Sequence, residues 1–315
     1  MADAHGRVAK TAHEVTVAAP PDLVYRLLAD LANWPWIFRP FVHAERLGAD
    51  GPFDRVGMWT TTGDQVEHWV ALRRLDEAHL RIDFRPKEPA APLATMERSW
   101  IVEPRSGGSC TVRLLHRYSV LGDDPSALES TARVIDTIAD AETQAVKRAA
   151  ELVAGTPELK VEVTDTVGIA GSEKAVHHAL HDVRSWPGIL PHVARAEVVQ
   201  DTDGRQLVEI ETVERSGKLL AMRTARVSLA PYAVVYKQLA LPPISSSHHV
   251  RWHIEPTAGG VEVTSHQTVI VEPPGIERML GAGKGTADAT EFIQRELSAK
   301  VRLVLDGVKK HIEAG

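Results

Sequence analysis

The residues best suited to chemistry in this 315-residue sequence are an arginine, a histidine and a tyrosine set among apolar and aromatic neighbours. Side chains alternate across a strand, so residues two apart share a face. Over 65–75 one face carries Trp69, Ala71, Arg73 and Leu75. Over 94–102 one carries Met96, Arg98, Trp100 and Val102, and over 112–120 one carries Val112, Leu114, His116, Tyr118 and Val120. The last set is apolar but for the His116 imidazole and the Tyr118 hydroxyl, so it is expected to face inward. Together these faces describe a pocket with aromatic and methionine walls and a few polar groups. An arginine buried without a partner is costly. Arg73 therefore either reaches the surface beside Arg74 or waits for an anionic or carbonyl-rich ligand. His116 fits a hydrogen-bonded core residue or a proton-transfer group. Trp34, Met96 and Trp100 fit a core as well as a pocket wall.

The elements that must position these residues occur twice. Trp34-Pro35 recurs as Trp186-Pro187, Trp100 to Pro104 as Trp252 to Pro256, and Gly107-Gly108 as Gly259-Gly260, all at one spacing of 152 residues. Three markers holding one spacing indicate a duplicated domain, with halves at 1–155 and 156–315 joined by the short linker Gly155-Thr156-Pro157. Each half reads as a strand, a short helix, about six further strands and a long helix, an α+β plan. In the first half the strand is 13–19, the helix 23–31, and the closing helix 125–153, with Val134, Ile135, Ile138, Ala141, Ala145 and Val146 at helical spacing. In the second the strand is 159–169, the helix 172–184, and the closing helix 276–313. A curved antiparallel sheet gripping that last helix leaves a cavity suited to a small molecule.

Composition narrows the functions. The net charge of −6 lacks the basic excess of a nucleic-acid surface, and no Lys/Arg run marks a charged-membrane role. No apolar stretch is long enough to cross a bilayer, and the N-terminus lacks a signal-like segment. One cysteine, Cys110, excludes an internal disulfide and a cysteine zinc cluster. A cytoplasmic protein is the default expectation. Gly281-Ala282-Gly283-Lys284-Gly285 lacks phosphate-loop spacing and reads as a loop or helix break. His248 and His249 fall on opposite strand faces, so no metal site is expected of them.

The order Trp34-Pro35, Trp69-x-x-x-Arg73, Met96-x-x-x-Trp100 and Glu103-Pro104 resembles the polyketide aromatase/cyclases of bacterial type II systems, in the START/Bet v 1-like helix-grip superfamily. The duplication makes the chain similar to the two-domain branch. The resemblance implies two tandem helix-grip domains, each a curved antiparallel sheet of about seven strands around a long C-terminal helix with an interior pocket. It also implies first-ring aldol closure (of C7–C12 type) and dehydration of a partly reduced poly-β-ketone. That chain would be tethered through phosphopantetheine to an acyl carrier protein, with other synthase subunits as partners and no cofactor.

By the same resemblance Trp69 and Arg73 match the family's pocket, while Ala71 stands where a hydroxyl is usual and Phe41 where a tyrosine is. Met96 and Trp100 match walls, and His116 falls where an amide is common. In the second half Thr224-x-Arg226 restores the hydroxyl–arginine pair, with Met222 in place of Trp69. There His192 stands near the position of Phe41, His248 at that of Met96, Trp252 at that of Trp100, and His266 on the strand of His116. The expected catalytic residues are Arg73, His116, Arg226 and His266. The expected pocket walls are Trp34, Phe41, Trp69, Met96, Trp100, Tyr118, Trp186, His192, Thr224, His248 and Trp252. Two readings outside catalysis stay open, a carrier of a hydrophobic ligand and a cochaperone-like module of the same fold. Whether both pockets catalyse, or one binds and the other catalyses, also stays open.

Overall fold

The computed structural model describes residues 7–214 and 217–314. Strand β1 (Ala9–Val17) alternates exposed and covered side chains, as a strand with one packed face must. Helix α1 (Pro21–Ala29) starts on Pro21, whose missing N–H costs nothing in a first turn. Helix α2 (Trp34–Ile37) is a single turn, fixed by the Trp34 indole N–H donating back to the Leu28 carbonyl (2.9 Å). Six strands follow: β2 (Phe41–Asp50), β3 (Phe53–Thr62), β4 (Gln65–Asp76), β5 (Arg81–Pro86), β6 (Leu93–Pro104) and β7 (Cys110–Val120). Helix α3 (Pro125–Gly155) is capped by Asp124, whose carboxylate accepts from Ser126 N (2.9 Å). Among the described residues the first sheet has seven strands in the order β1-β7-β6-β5-β4-β3-β2.

The second repeat runs β8 (Lys160–Ile169), α4 (Glu173–His181), α5 (Trp186–Ile189), β9 (Val193–Thr202), β10 (Arg205–Val213), β11 (Leu219–Leu229), β12 (Ala233–Gln238), β13 (Ser245–Thr257), β14 (Gly260–Val271), α6 (Pro273–Leu280) and α7 (Thr286–Ala314). Its sheet keeps the order, β8-β14-β13-β12-β11-β10-β9. Two differences from the sequence reading have physical causes. The closing helix of the second repeat is broken at the glycine run, where Gly281 and Gly283 take φ of 100° and 77°, values that favour glycine. On α3 the buried stripe is Ile135, Ala139, Val146 and Ala150, whereas Val134 and Ile138 are exposed. Apolar residues recur on both sides of that helix, so spacing alone does not choose the buried side.

The chain divides into two compact units. The first comprises the described residues up to Phe38 with Ala44–Met58 and His68–Pro157, and the second comprises Arg39–His43, Trp59–Glu67 and the residues from Glu158 onward. Within the second unit Val42, Trp59 and Val66 pack on Ala225, Val227 and Val235.

Candidate active site

In the first unit Arg73 on β4 is 5% exposed, so it turns inward and does not reach the surface beside Arg74. Its Nη1 donates to the carbonyl of Ala29 (2.7 Å), the last residue of α1. A cation at that end complements the partial negative charge of the helix carboxyl terminus. Its Nη2 donates to Asp54 Oδ2 (3.2 Å) on β3, and Asp54 also accepts from Arg46 (2.6 Å). These cations hold the Asp54 carboxyl below the usual range, against the upward push of burial. Arg73 is thus a neutralised, anchored cation whose Nε has no partner among the described residues.

The wall beside it is aromatic. Trp34 packs against Phe38 and Phe84 with ring centroids 5.4 and 5.2 Å apart, and Phe38 lies 6.3 Å from Trp100. Further along the inner face, under α3, sits a polar group of three strands. Arg98 on β6 forms an ion pair with Glu142 of α3. His13 on β1 places Nε2 3.2 Å from Asp136 of α3 and leaves a buried Nδ1 without a partner. His116 on β7 lies edge-on to His13 at 6.3 Å, its own Nδ1 equally unpartnered. Burial, reinforced by Arg98 and His13, pushes the His116 pKa down to about 3, so its ring is neutral at physiological pH.

The second unit repeats the arginine without its carboxylate. Arg226 is 1% exposed and donates through Nη2 to the Leu180 carbonyl of α4 (2.7 Å). Its guanidinium lies over the rings of Trp186, Tyr236 and Trp252, at 5.0, 5.4 and 5.6 Å from their centroids. Such rings attract a cation through their quadrupoles. Across the sheet its neighbour is Gln206, and among the described residues no carboxylate pairs with it. Burial pulls its pKa down to about 10 and drives that of Tyr236 up to about 12, so Arg226 stays charged and Tyr236 stays protonated. Thr224, two residues before Arg226, is buried with an unpartnered hydroxyl, as is Ser265 on β14.

His248 on β13 is held between two amides, Nδ1 3.0 Å from Gln238 Oε1 and Nε2 3.1 Å from Gln267 Oε1. Burial lowers its pKa to about 4. A neutral imidazole has one donor and one acceptor nitrogen, so one of those amides must present its NH2 to the ring. Asp165 on β8, 5% exposed, accepts from Ser298 (2.7 Å) and Arg302 (3.0 Å) of α7 and leaves Oδ2 unpartnered. Both interiors therefore combine aromatic walls, an anchored arginine and buried polar atoms with unused hydrogen-bonding capacity.

Comparison with known proteins agrees with this geometry. Residues 8–151 match the family described as polyketide cyclase / dehydrase and lipid transport. A granaticin polyketide synthase bifunctional cyclase/dehydratase of Streptomyces violaceoruber is 31% identical over 92% of this chain and 90% of its own. The chain belongs to the two-domain polyketide aromatase/cyclases. A crystal structure of the di-domain ARO/CYC BexL, from the BE-7585A biosynthetic pathway, superposes with a TM-score of 0.92 at 36% identity, covering 98% of this chain and 99% of that one. That of the di-domain ARO/CYC StfQ, from the steffimycin pathway, does so with 0.87 at 31%, covering 96% and 98%. The protein is thus a polyketide cyclase/dehydratase of tandem helix-grip domains.

The structure of this aromatase/cyclase gathers Arg73, Trp34, Trp100, His116 and Tyr118 in the first unit, with Met96 half-buried beside them. In the second it gathers Arg226, Thr224, Trp186, Trp252 and His248. Two expected residues, Trp69 and His266, stand apart on exposed faces. Trp69 is 37% exposed. Phe41 lies in a segment of the second unit, where its carbonyl accepts from Lys237 Nζ (3.1 Å). His192 is a half-buried residue just before β9, its carbonyl accepting from Val213 N (2.8 Å).

His266 is exposed and meets Thr164 Oγ1 at 3.3 Å, on the face of β14 away from the interior. The cause is a hairpin shortened by one residue. Trp100 pairs with Leu114, fourteen positions on, but Trp252 pairs with Ser265, thirteen on. A one-residue slip exchanges the faces of a strand, and the inward counterpart of His116 is Gln267. The amide expected at that position is therefore present, in the second repeat. His13, Asp54, Gln206, Tyr236 and Asp165 carry no mark in the sequence, because each gains its place only from a neighbour on another strand or helix. No helix among the described residues is long and apolar enough to cross a membrane.

Proposed function

We propose that this aromatase/cyclase closes and dehydrates the first ring, between C7 and C12, of a partly reduced poly-β-ketone carried as a thioester on an acyl carrier protein. The observation that carries the reading is the buried arginine in each unit, locked onto a helix-terminal carbonyl and surrounded by aromatic walls. A guanidinium so fixed can receive charge developing on a ketone oxygen with little reorganisation. Full-length similarity to polyketide synthase cyclase/dehydratases supports ring closure and dehydration of a polyketide chain.

In this reading a methylene between two carbonyls loses a proton to give an enolate. The enolate carbon attacks a second carbonyl of the folded chain, a C–C bond forms, and the resulting alkoxide is protonated. Loss of that hydroxyl with a neighbouring hydrogen releases water, and the already reduced position leaves its hydroxyl as a second water. No electrons enter or leave. The walls supply proximity between the joining carbons. Arg226 and the Thr224 hydroxyl steady the developing oxyanion, and Arg73, paired with Asp54, donates to neutral carbonyl oxygens of the chain. Among the histidines His13 suits proton transfer best, because Asp136 orients it and its buried Nδ1 has no partner of its own. His116, kept neutral, serves as a hydrogen-bond partner.

The test is a reconstituted synthase of ketosynthase pair, carrier protein and ketoreductase, with products identified by mass spectrometry and NMR. The wild-type protein should yield one aromatic first ring joined at C7 and C12, and Arg73→Ala should shift material to shunt compounds. A ring joined elsewhere would remove the regiochemistry, and an unchanged profile with Arg73→Ala would remove that residue from the mechanism.

A further inference from the structure

The two arginines occupy equivalent places but carry different net charge environments. Arg73 donates to the carboxylate of Asp54. Gln206 stands 152 residues after Asp54, the spacing that relates Trp34 to Trp186, and it is the cross-strand neighbour of Arg226. Gln206 is 1% exposed; among the described residues its Oε1 has no partner and its Nε2 reaches only Asp201, at 3.5 Å. Asp201 is itself held by Arg184 at 2.7 Å. Round Arg226 stand the neutral rings of Trp186, Tyr236 and Trp252, and near them His181, whose pKa burial, with Arg226 and His177 adding to it, pushes down to about 4, so that it too is neutral.

We propose that the residue pair Asp54/Gln206 decides which interior accepts an anion: Asp54 closes Arg73 to anionic ligands, and Gln206 leaves Arg226 open to one. The second unit then holds the enolate oxygen. The first binds neutral carbonyls and carries out proton transfers. A buried cation without a counter-charge gains most from an anionic guest, since the desolvation has already been incurred and the guest supplies the missing Coulomb attraction. A neutralised pair gains little, because the incoming anion is repelled by the carboxylate already seated. This division rests on the reading that the interiors receive an enolate-bearing chain, but the charge assignment itself is testable without any polyketide.

The test uses the intact protein and 4-nitrophenolate as the probe, with binding followed by equilibrium dialysis and by quenching of Trp186 and Trp252. The wild-type chain should bind one equivalent. Gln206→Glu should weaken that site by about tenfold or more, while Gln206→Leu, which keeps the position neutral, should retain it. Asp54→Asn should add a second equivalent that Arg73→Gln, combined with it, removes. Circular dichroism establishes that each variant is folded. Unchanged affinity in Gln206→Glu, loss of affinity in Gln206→Leu, or a stoichiometry still at one in Asp54→Asn each overturns the proposal. A protein that binds as described yet leaves the polyketide profile of a synthase unaltered would instead overturn the catalytic reading and leave the charge assignment standing.

Discussion

Replacing Arg226 by methionine should separate stability from activity. Burial holds the Arg226 pKa at about 10, which corresponds to about 3 kcal/mol against the charged form relative to water. Set against this are one charge-assisted hydrogen bond to the Leu180 carbonyl, worth about 1.5–3 kcal/mol, and contacts with three rings, worth about 0.5–2 kcal/mol each. Methionine removes the first cost and keeps part of the packing, while leaving one carbonyl unsatisfied. One guanidinium is shared among three rings, so the low end of these ranges applies; there the terms nearly cancel, and Arg226→Met should change stability by no more than about 1–2 kcal/mol, a Tm shift of only about 2–8 °C. Activity should behave differently. Loss of a donor that steadies a developing oxyanion lowers turnover by about 10²- to 10³-fold. The assays are denaturant unfolding and the rate of first-ring formation in a reconstituted synthase. A variant destabilised by more than about 4 kcal/mol, with activity falling only as the folded fraction falls, would make Arg226 a structural residue and refute the reasoning.

Other outcomes follow from the same geometry. His116, His181 and His248 have pKa values pushed down to about 3, 4 and 4 by burial, whereas the unfolded chain restores about 6.5. Below that value the unfolded state takes up protons the folded state refuses, so stability is full above about pH 6.5 and falls as pH drops toward 4. Urea midpoints should thus be lower at about pH 5 than at about pH 7.5, and an equal or higher midpoint at the acid pH would contradict the burial of these rings. Asp165→Ala removes the acceptor for Ser298 and Arg302. It should cost about 1–3 kcal/mol and raise hydrogen exchange in α7 more than in α3; equal exchange in both helices would deny that contact its role. A methyl group at Gly275 would meet the Pro243 carbonyl oxygen at 1.9 Å. Gly275→Ala should therefore destabilise by about 2 kcal/mol or more in thermal unfolding, and a neutral result would show that α6 is free to shift.

Much of the architecture was legible in the sequence because it rests on periodicities and rare residues. Alternation marked the strands, the apolar spacing of 125–153 marked α3, and the paired tryptophans revealed the duplication. Parity also set Val112, Leu114, His116, Tyr118 and Val120 on one inward face, but left open whether Arg73 turned inward. What escaped depended on register and on partners distant in sequence. His266 was placed inward because a hairpin one residue shorter in the second repeat cannot be seen from the spacing of Trp252 alone. Asp54 and Gln206 are ordinary polar residues until β3 and β10 are laid beside the arginines they neighbour. His13 gains its significance only from Asp136, 123 positions away on α3. Trp69 matched a pocket motif in type and spacing, yet in the first half of β4 it lies over a third exposed.

The central claim is that the chemistry takes place in the two arginine-anchored interiors. Its most direct test is the product distribution of a reconstituted synthase supplied with wild-type protein, with the double variant Arg73→Met/Arg226→Met, or with neither. The wild type should give a single C7–C12 aromatic first ring, and the folded double variant should give the same shunt mixture as no protein at all. The same aromatic product from the double variant, at an undiminished rate, would contradict the claim.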